Sequence, residues 1–285
     1  MKKLLSLVLA VVMVCGMLAA FSACSKKGVK IGVQAGTTGE LFLKGDEAMK
    51  FEGFENVDVQ SYDNAALAVQ DLVDGKINYV VIDNDVAMSL ASGNNDIKVI
   101  EFSLTSEQYG IGVDKNQKDL LNSINAILKA KKDVIEEIYE SYKNVNDTNI
   151  GDWDGTVVTS AKYDANKKEQ QLVVATNAAF APYEFASGNG FAGIDMEIAK
   201  LIADELGMEL VIMDMQFEAV VSSVGVNGVD IALSGLTIND DRKKVIDFSD
   251  PYQDASQVII AKKDDKTFDD CESADDVIEV LKGLK

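Results

Sequence analysis

The sequence contains a few side chains that could together hold a molecule bearing both a carboxylate and an ammonium group. Arg242 is the single arginine among 27 basic residues, and its planar guanidinium can bind a carboxylate through two parallel hydrogen bonds, which lysine cannot do. Asp83 ends an apolar run and can pair with an ammonium group. Thr38 lies in the turn Gly36-Thr37-Thr38-Gly39 before a predicted helix. Backbone N–H groups there can bind the same carboxylate.

Each of these residues also has a structural interpretation. Arg242 lies in the charged run 240–244, which would suit a solvated surface, and Asp83 could cap a helix. The adjacent Asp240 and Asp241 suggest acid–base chemistry in isolation, but acidic residues also suit the first turn of a helix. The pair therefore predicts a helix start at residue 240.

Composition excludes several functions. The chain has no histidine, which removes Ser-His-Asp and Cys-His catalysis and histidine-ligated zinc. Acidic residues outnumber basic ones 47 to 27, for a net charge of −20, which argues against nucleic acid or anionic lipid as a partner. We expect no cofactor, no metal and no catalytic residues.

Strand and helix signals alternate along the chain, which indicates an α/β fold with mostly parallel sheets. Apolar residues at 65, 68, 69 and 72 predict a helix, with Asn64 as its N-cap and Gly75 after its end. Residues 79–82 are apolar on both faces, as in a buried strand. Further strands are predicted at 29–33, 172–175, 210–213, 229–233 and 258–261, and further helices at 120–128, 194–206 and 273–281.

One pattern occurs twice. In both 74–83 and 227–235 a glycine ends a helix, and an apolar strand follows that finishes in a polar or glycine residue. This predicts two lobes of similar build that present strand carboxyl ends to a shared crevice, where ligands of open α/β sheets bind. The polar stretch 144–170 is predicted to be a linker or a surface excursion.

The N-terminus has the pattern of a targeting segment. Lys2 and Lys3 precede an apolar run over 4–20, and Phe21-Ser22-Ala23-Cys24 resembles the lipobox before a lipidated cysteine, departing from it at Phe21. The alternative is an uncleaved membrane anchor, although about 20 apolar residues are needed to span a bilayer. We expect a signal peptide over 1–23 and a lipid anchor on Cys24. Cys271 would then have no intrachain disulfide partner.

Several motifs together resemble the polar-amino-acid-binding proteins of ABC importers, the bacterial solute-binding proteins of family 3. Motifs similar to the family's first lobe occur at 175–185, 193–195, 234–237, 241–242 and 247–252. The second lobe is resembled by 31–39 and 80–83, and 109–111 resembles the strand that returns between the lobes. The resemblance implies a type II periplasmic-binding-protein fold with the ligand in the cleft between its two lobes.

The order of these motifs departs from the family, because the second lobe comes first. We interpret the chain as circularly permuted, with the family's termini joined through 144–170; a tandem fragment is the alternative. The predicted organisation is a signal peptide at 1–23, the first part of lobe 2 at 24–105, lobe 1 at 106–256, and a hinge strand with the rest of lobe 2 at 257–285. Surface termini that lie close together tolerate such rearrangement.

The resemblance also implies further ligand contacts. Phe180 and Phe217 would sandwich the ligand, although aromatic residues at such positions are often simply core. Thr237 and the backbones of Ser234 and Gly235 would complete the clamp formed by Arg242, Thr38 and Asp83. Asn177 and Gln34 match positions that read the ligand side chain, with a capping or surface amide as the alternative for both. A carboxylate is common at the Asn177 position in members that bind cations, so the amides predict an uncharged polar side chain.

The function implied is that of an extracytoplasmic substrate-binding component, anchored by lipid to the outer face of the cell membrane. It would bind a free polar amino acid as a monomer, close by a hinge, and deliver the ligand to an ABC permease. Two alternatives stay open at this stage: an amino-acid-sensing receptor component, and an enzyme such as a dehydratase on the same fold.

Overall fold

The computed structural model describes residues 28–145, 150 and 153–285. The predicted signal peptide and Cys24 lie outside these residues. The strands are β1 Val29–Gln34, β2 Val57–Tyr62, β3 Tyr79–Asp83, β4 Ile97–Ile100, β5 Glu107–Tyr109, β6 Gly112–Val113, β7 Gln171–Thr176, β8 Ala179–Phe180, β9 Glu184–Ser187, β10 Gly190–Ala192, β11 Glu209–Asp214, β12 Ile231–Ala232, β13 Asp247–Phe248, β14 Gln253–Ala255 and β15 Gln257–Lys262. The helices are α1 Thr38–Lys44, α2 Ala65–Val73, α3 Asn84–Ser92, α4 Lys118–Ala130, α5 Lys132–Tyr142, α6 Ile194–Leu206, α7 Phe217–Ser223, α8 Asp240–Val245 and α9 Ala274–Gly283, with a 3-10 turn at Ala165–Gln170.

Two five-stranded sheets define two lobes, as the repeated pattern predicts. Lobe 2 is built on the order β2-β1-β3-β15-β4, and lobe 1 on the order β11-β7-β12-β6-β13. The two-lobed α/β fold class is therefore confirmed. Strand β15 lies inside the lobe 2 sheet, and Val277 and Leu281 of α9 are buried with Ile31 in the core of this lobe.

The expectation of mostly parallel sheets is wrong for half of the strand pairs in the two five-stranded sheets. In lobe 2, β15 runs antiparallel to both β3 and β4. In lobe 1, β6 runs antiparallel to both β12 and β13. The cause is topological, because β15 and β6 each enter their sheet from the other lobe. Parallel neighbours need a crossover connection, usually a helix. The connections that lead into β15 and β6 come from the other lobe and contain no such helix.

The helix ends follow the local sequence signals. Asn64 accepts a hydrogen bond from the Leu67 N–H at 3.0 Å, which caps α2, and Gly75 after this helix has a φ of 75°. Gly207 ends α6 with a φ of 68°, a left-handed conformation that favours glycine. These features hold the amphipathic faces of α2 and α6 against their sheets.

The chain crosses between the lobes twice, and the two crossings pair with each other. Strands β5 and β14 are antiparallel, with Gln253 opposite Tyr109 and Ala255 opposite Glu107. A two-stranded ribbon of this kind can bend without disturbing either sheet, so it is the natural hinge between the lobes.

The described residues of the stretch 144–170 lie on lobe 1. In its described part, Trp153 stacks on Tyr142 with ring centroids 5.0 Å apart, and Val158 is buried and forms a bridge to Phe191. Residues 154–157 are exposed. The described part of the stretch is therefore a surface segment that contacts lobe 1 through Trp153 and Val158. Over the described part of the chain, no helix combines the length and apolar character needed to cross a membrane.

Candidate functional site

The predicted site residues gather where strand carboxyl ends of the two lobes face each other. In lobe 2, β1 ends at Gln34 and β3 at Asp83. In lobe 1, β7 ends directly before Asn177, and β12 is followed by Ser234 and Gly235. The crevice expected from the repeated pattern therefore lies between these strand ends.

Arg242 spans the two lobes. Its backbone N–H donates to the Asn239 side chain at 2.8 Å, which caps α8, so this helix starts at Asp240 as the acidic pair predicts. Nη1 donates to the Thr237 carbonyl at 2.7 Å, and Nη2 donates to the Gly36 carbonyl of lobe 2 at 3.1 Å. Burial lowers the pKa of the guanidinium to about 10, and the group stays charged at neutral pH. The solvated-surface interpretation of Arg242 does not fit these contacts.

The Arg242 guanidinium also lies over the ring of Phe217, with its central carbon 5.4 Å from the ring centroid. An aromatic face attracts a cation at this separation. Phe217 thus orients the charged group, in addition to packing in the lobe 1 core. The side chain of Phe180 is buried and packs closely against Gly235.

Asp83 is buried at 4% exposure and accepts a hydrogen bond from the Tyr109 hydroxyl at 2.6 Å. It occupies the N-cap position of α3, but its side chain makes no capping bond. The pKa of Asp83 is raised to about 7, mainly by burial and secondly by the nearby charge of Glu107. A carboxylate whose charged form is this unfavourable gains most from a cationic partner.

The turn before α1 supplies an unused polar atom. Thr38 is 2% exposed, and its hydroxyl has no hydrogen-bond partner among the described residues. The neighbouring Thr37 hydroxyl donates to the Gln34 carbonyl at 2.7 Å. Gly36 has a φ of 75°, a conformation that glycine adopts without strain. An unpartnered buried hydroxyl is costly, so this atom is available to a ligand.

The two predicted amides bind each other across the cleft. Gln34 Nε2 donates to Asn177 Oδ1 at 2.9 Å, and Asn177 Nδ2 donates to the Met215 carbonyl at 2.8 Å. Gln34 Oε1 has no hydrogen-bond partner in the described part of the chain. The amides therefore close one end of the cleft.

A buried acid pair supports the lobe 1 wall. Glu184 Oε1 accepts from the Ser234 hydroxyl at 2.8 Å, and Asp195 Oδ2 accepts from the Gly235 N–H at 2.8 Å. Burial and the charge of Asp195 raise the pKa of Glu184, while burial raises the pKa of Asp195 to about 7. Burial thus favours the neutral form of both carboxyl groups, and Asp195 holds the Gly235 loop as an acceptor. Glu184 faces this network and not the cleft.

Sequence reasoning missed Glu107. Its Oε2 accepts from the Thr237 hydroxyl at 2.7 Å, and its Oε1 accepts from the Thr105 hydroxyl at 2.5 Å. Glu107 and Tyr109 lie two residues apart in β5 and so point to the same face of the strand. The recognised motif at 109–111 could have led to Glu107 through this alternation.

Comparisons with known proteins find similarity over part of the chain. The profile of the bacterial extracellular solute-binding proteins, family 3, matches residues 172–285. An arginine-binding extracellular protein, ArtP of Bacillus subtilis, is 35% identical over 109 residues, covering 38% of this chain and 43% of its own. A probable histidine-binding protein of Neisseria gonorrhoeae is 34% identical over 94 residues, covering 33% and 35%. This chain thus spans less than half the length of either relative.

Among solved structures, the arginine-bound form of domain 1 from TmArgBP is 34% identical, with a TM-score of 0.29. The match covers 43% of this chain and 96% of that one. Among the described residues, no group of three or more His, Cys, Asp or Glu side chains is placed to hold a metal ion.

Proposed function

We propose that this chain, whose residues 172–285 match the profile of family 3 of the bacterial extracellular solute-binding proteins, binds a free polar amino acid between its two lobes. It would present that ligand to the permease of an ABC importer. The names of the matched relatives, which bind arginine or histidine, support an amino acid as the ligand class.

The observation that carries the proposal is the position of Arg242. Its guanidinium comes from lobe 1, yet it reaches Gly36 of lobe 2 beside the unpartnered hydroxyl of Thr38. The guanidinium of Arg242 and the hydroxyl of Thr38 can both donate hydrogen bonds to an α-carboxylate. The planar guanidinium can bind both carboxylate oxygens at once. The Ser234 and Gly235 loop and the Thr237 hydroxyl belong to the same clamp, and Phe180 and Phe217 would enclose the ligand's apolar part.

The ammonium group of the ligand would pair with Asp83. This carboxylate is buried with a raised pKa, and an ammonium would favour its charged form. A zwitterion then finds both of its charges matched only when the lobes are closed. Ligand binding would therefore favour closure through the ribbon formed by β5 and β14, and we propose binding without turnover.

We propose that the chain is a circular permutant of this fold. Asn56 Nδ2 donates to the carbonyls of Leu281 and Leu284 at 2.8 and 2.9 Å, and Gly28 packs against the Asn56 backbone. The segment after α9 thus lies beside the start of β1, as the family's chain order would require. A rearranged chain that runs from 164 to 285 and then from 28 to 145 should fold and bind the same ligand.

The predicted division into 1–23, 24–105, 106–256 and 257–285 belongs to this proposal. So do lipidation of Cys24, a monomeric state and a location on the outer face of the cell membrane. Mass spectrometry of the membrane fraction would test the anchor, with a diacylated Cys24 as the expected N-terminus.

A thermal-shift panel of the twenty amino acids tests the function. A ligand at about 100 times its dissociation constant adds about 2.7 kcal/mol to the free energy of unfolding, which raises the midpoint by about 5–10 °C for a protein of this size. The proposal expects such a shift with a polar amino acid. Absence of a shift with every amino acid would overturn it.

A further inference from the structure

The ligand's side chain needs space, and the amide end of the cleft does not provide it. Gln34 and Asn177 are hydrogen-bonded to each other there. Next to the hinge ribbon lies a cavity of about 830 Å³ that is lined by Glu107, Tyr109 and Tyr183 among others. We call it the hinge-side cavity. Tyr109 also donates to Asp83, so this cavity adjoins the predicted ammonium site.

The wall of the hinge-side cavity is acidic. Glu107, Asp85 and Asp254 line it, and no lysine or arginine occurs among the described residues of its lining. Asp85 accepts from the Tyr183 hydroxyl at 2.6 Å, and Asp254 accepts from Gln108 at 3.0 Å. These neutral donors stabilise the carboxylates without cancelling their charge.

Glu107 is the most enclosed of the three carboxylates, at 5% exposure. It accepts from Thr105, Thr237 and, at 3.2 Å, Gln257 Nε2. Neutral donors thus surround both of its oxygens.

The charges of the cleft do not balance for a neutral ligand. Asp83 and Glu107 are both buried, whereas Arg242 is the one cation whose contacts place it in the described part of the cleft. A zwitterion adds one charge of each sign, so Glu107, whose charge acts on Arg242, would have to share that single cation with the ligand's carboxylate. A buried carboxylate without a counter-charge is costly, and a second positive charge on the ligand would remove that cost.

We propose that Glu107 is a specificity-determining residue and that the ligand carries a cationic side chain, which enters the hinge-side cavity. This rests on the proposed amino-acid function and replaces the uncharged side chain expected from Asn177 and Gln34. The assignment depends on the hinge-side cavity and its carboxylates, and the amide pair contributes only by closing the other end of the cleft.

Calorimetry with L-arginine and L-citrulline tests the assignment, because the two have closely similar shapes and differ in side-chain charge. For the unaltered chain, arginine should bind at least about tenfold more tightly, as expected for a charged hydrogen bond. In Glu107→Gln, arginine should weaken at least about tenfold while citrulline changes less than about threefold. The control Glu101→Gln removes an exposed glutamate that lies outside the cavity and should leave both affinities unchanged.

Circular dichroism and the unfolding midpoint establish that Glu107→Gln is folded. If it does not fold, Asp254→Asn replaces it, since this residue is exposed and should weaken arginine a few-fold and citrulline not at all. Glutamine or citrulline binding more tightly than arginine would overturn the cationic assignment and leave the amino-acid function intact. An equal loss for arginine and citrulline in Glu107→Gln would remove the specificity role. Absence of binding by all twenty amino acids would overturn the function itself.

Discussion

Replacing Arg242 by lysine tests whether ligand binding requires the planar guanidinium or only a positive charge at this position. The guanidinium makes hydrogen bonds to Thr237 and Gly36, at 2.7 and 3.1 Å, and lies 5.4 Å from the centroid of the Phe217 ring. Lysine keeps one positive charge but offers a compact ammonium, which cannot bind both carboxylate oxygens in one plane. Arg242→Lys therefore loses one charge-assisted hydrogen bond to the ligand.

Such a hydrogen bond contributes about 1.5–3 kcal/mol, so the dissociation constant of the amino acid should rise by about 10- to 150-fold. Isothermal titration of the ligand found in the thermal panel measures the change directly. The matched control is Lys243→Gln, which removes an exposed cation from the same helix that pairs with Asp240 at 3.4 Å. Its affinity should be that of the unaltered chain.

The reasoning would be refuted if Arg242→Lys bound the ligand as tightly as the unaltered chain. Arg242 would then be a structural link between Thr237 and Gly36, and the carboxylate would have another partner. A loss of affinity in Lys243→Gln equal to that in Arg242→Lys would also contradict the account, because it would indicate a general effect of charge on α8.

Three further predictions concern charge and chain connectivity. Asp83→Asn should weaken the amino acid at least about tenfold, since the ammonium loses its charged partner; titration that gives an unchanged affinity would place the ammonium elsewhere. Burial raises the pKa of both Asp83 and Asp195 to about 7, so the folded, unliganded protein retains protons that the unfolded chain releases near about pH 4. Its free energy of unfolding should therefore fall as pH rises from about 5 to about 7.5, and a calorimetric midpoint that rises over this interval would contradict it. Limited proteolysis should cut first within 144–170, where residues 154–157 are exposed, and the two fragments should stay associated and bind ligand; loss of binding after that single cut would give the stretch a structural role.

Local signals predicted much of the fold because they act over a few residues. The apolar spacing of α2, its Asn64 cap and the glycine after it are all visible in the sequence, and each determines the conformation of its neighbours. Strand directions were predicted less well. The antiparallel entry of β15 depends on the chain returning from the other lobe, which no local pattern encodes.

Part of the candidate site could be predicted from the sequence, and part could not. Arg242 and Asp83 stood out by residue type and position, and their contact with a ligand stays a prediction. Glu107 reaches Thr237 because β5 pairs with the segment around Thr237, where Tyr109 and Thr237 form an antiparallel bridge. This contact joins residues 130 apart in the sequence. The pairing of Gln34 with Asn177, over 143 residues of sequence, has the same origin. Contacts between lobes could not be predicted from either lobe alone.

A crystal structure with the amino acid from the thermal panel is the most direct test of the central claim. The account predicts one ligand molecule between the lobes, with its α-carboxylate on the guanidinium of Arg242 and its ammonium on Asp83. A ligand bound outside this cleft, or bound in it with neither group in contact, would contradict the account.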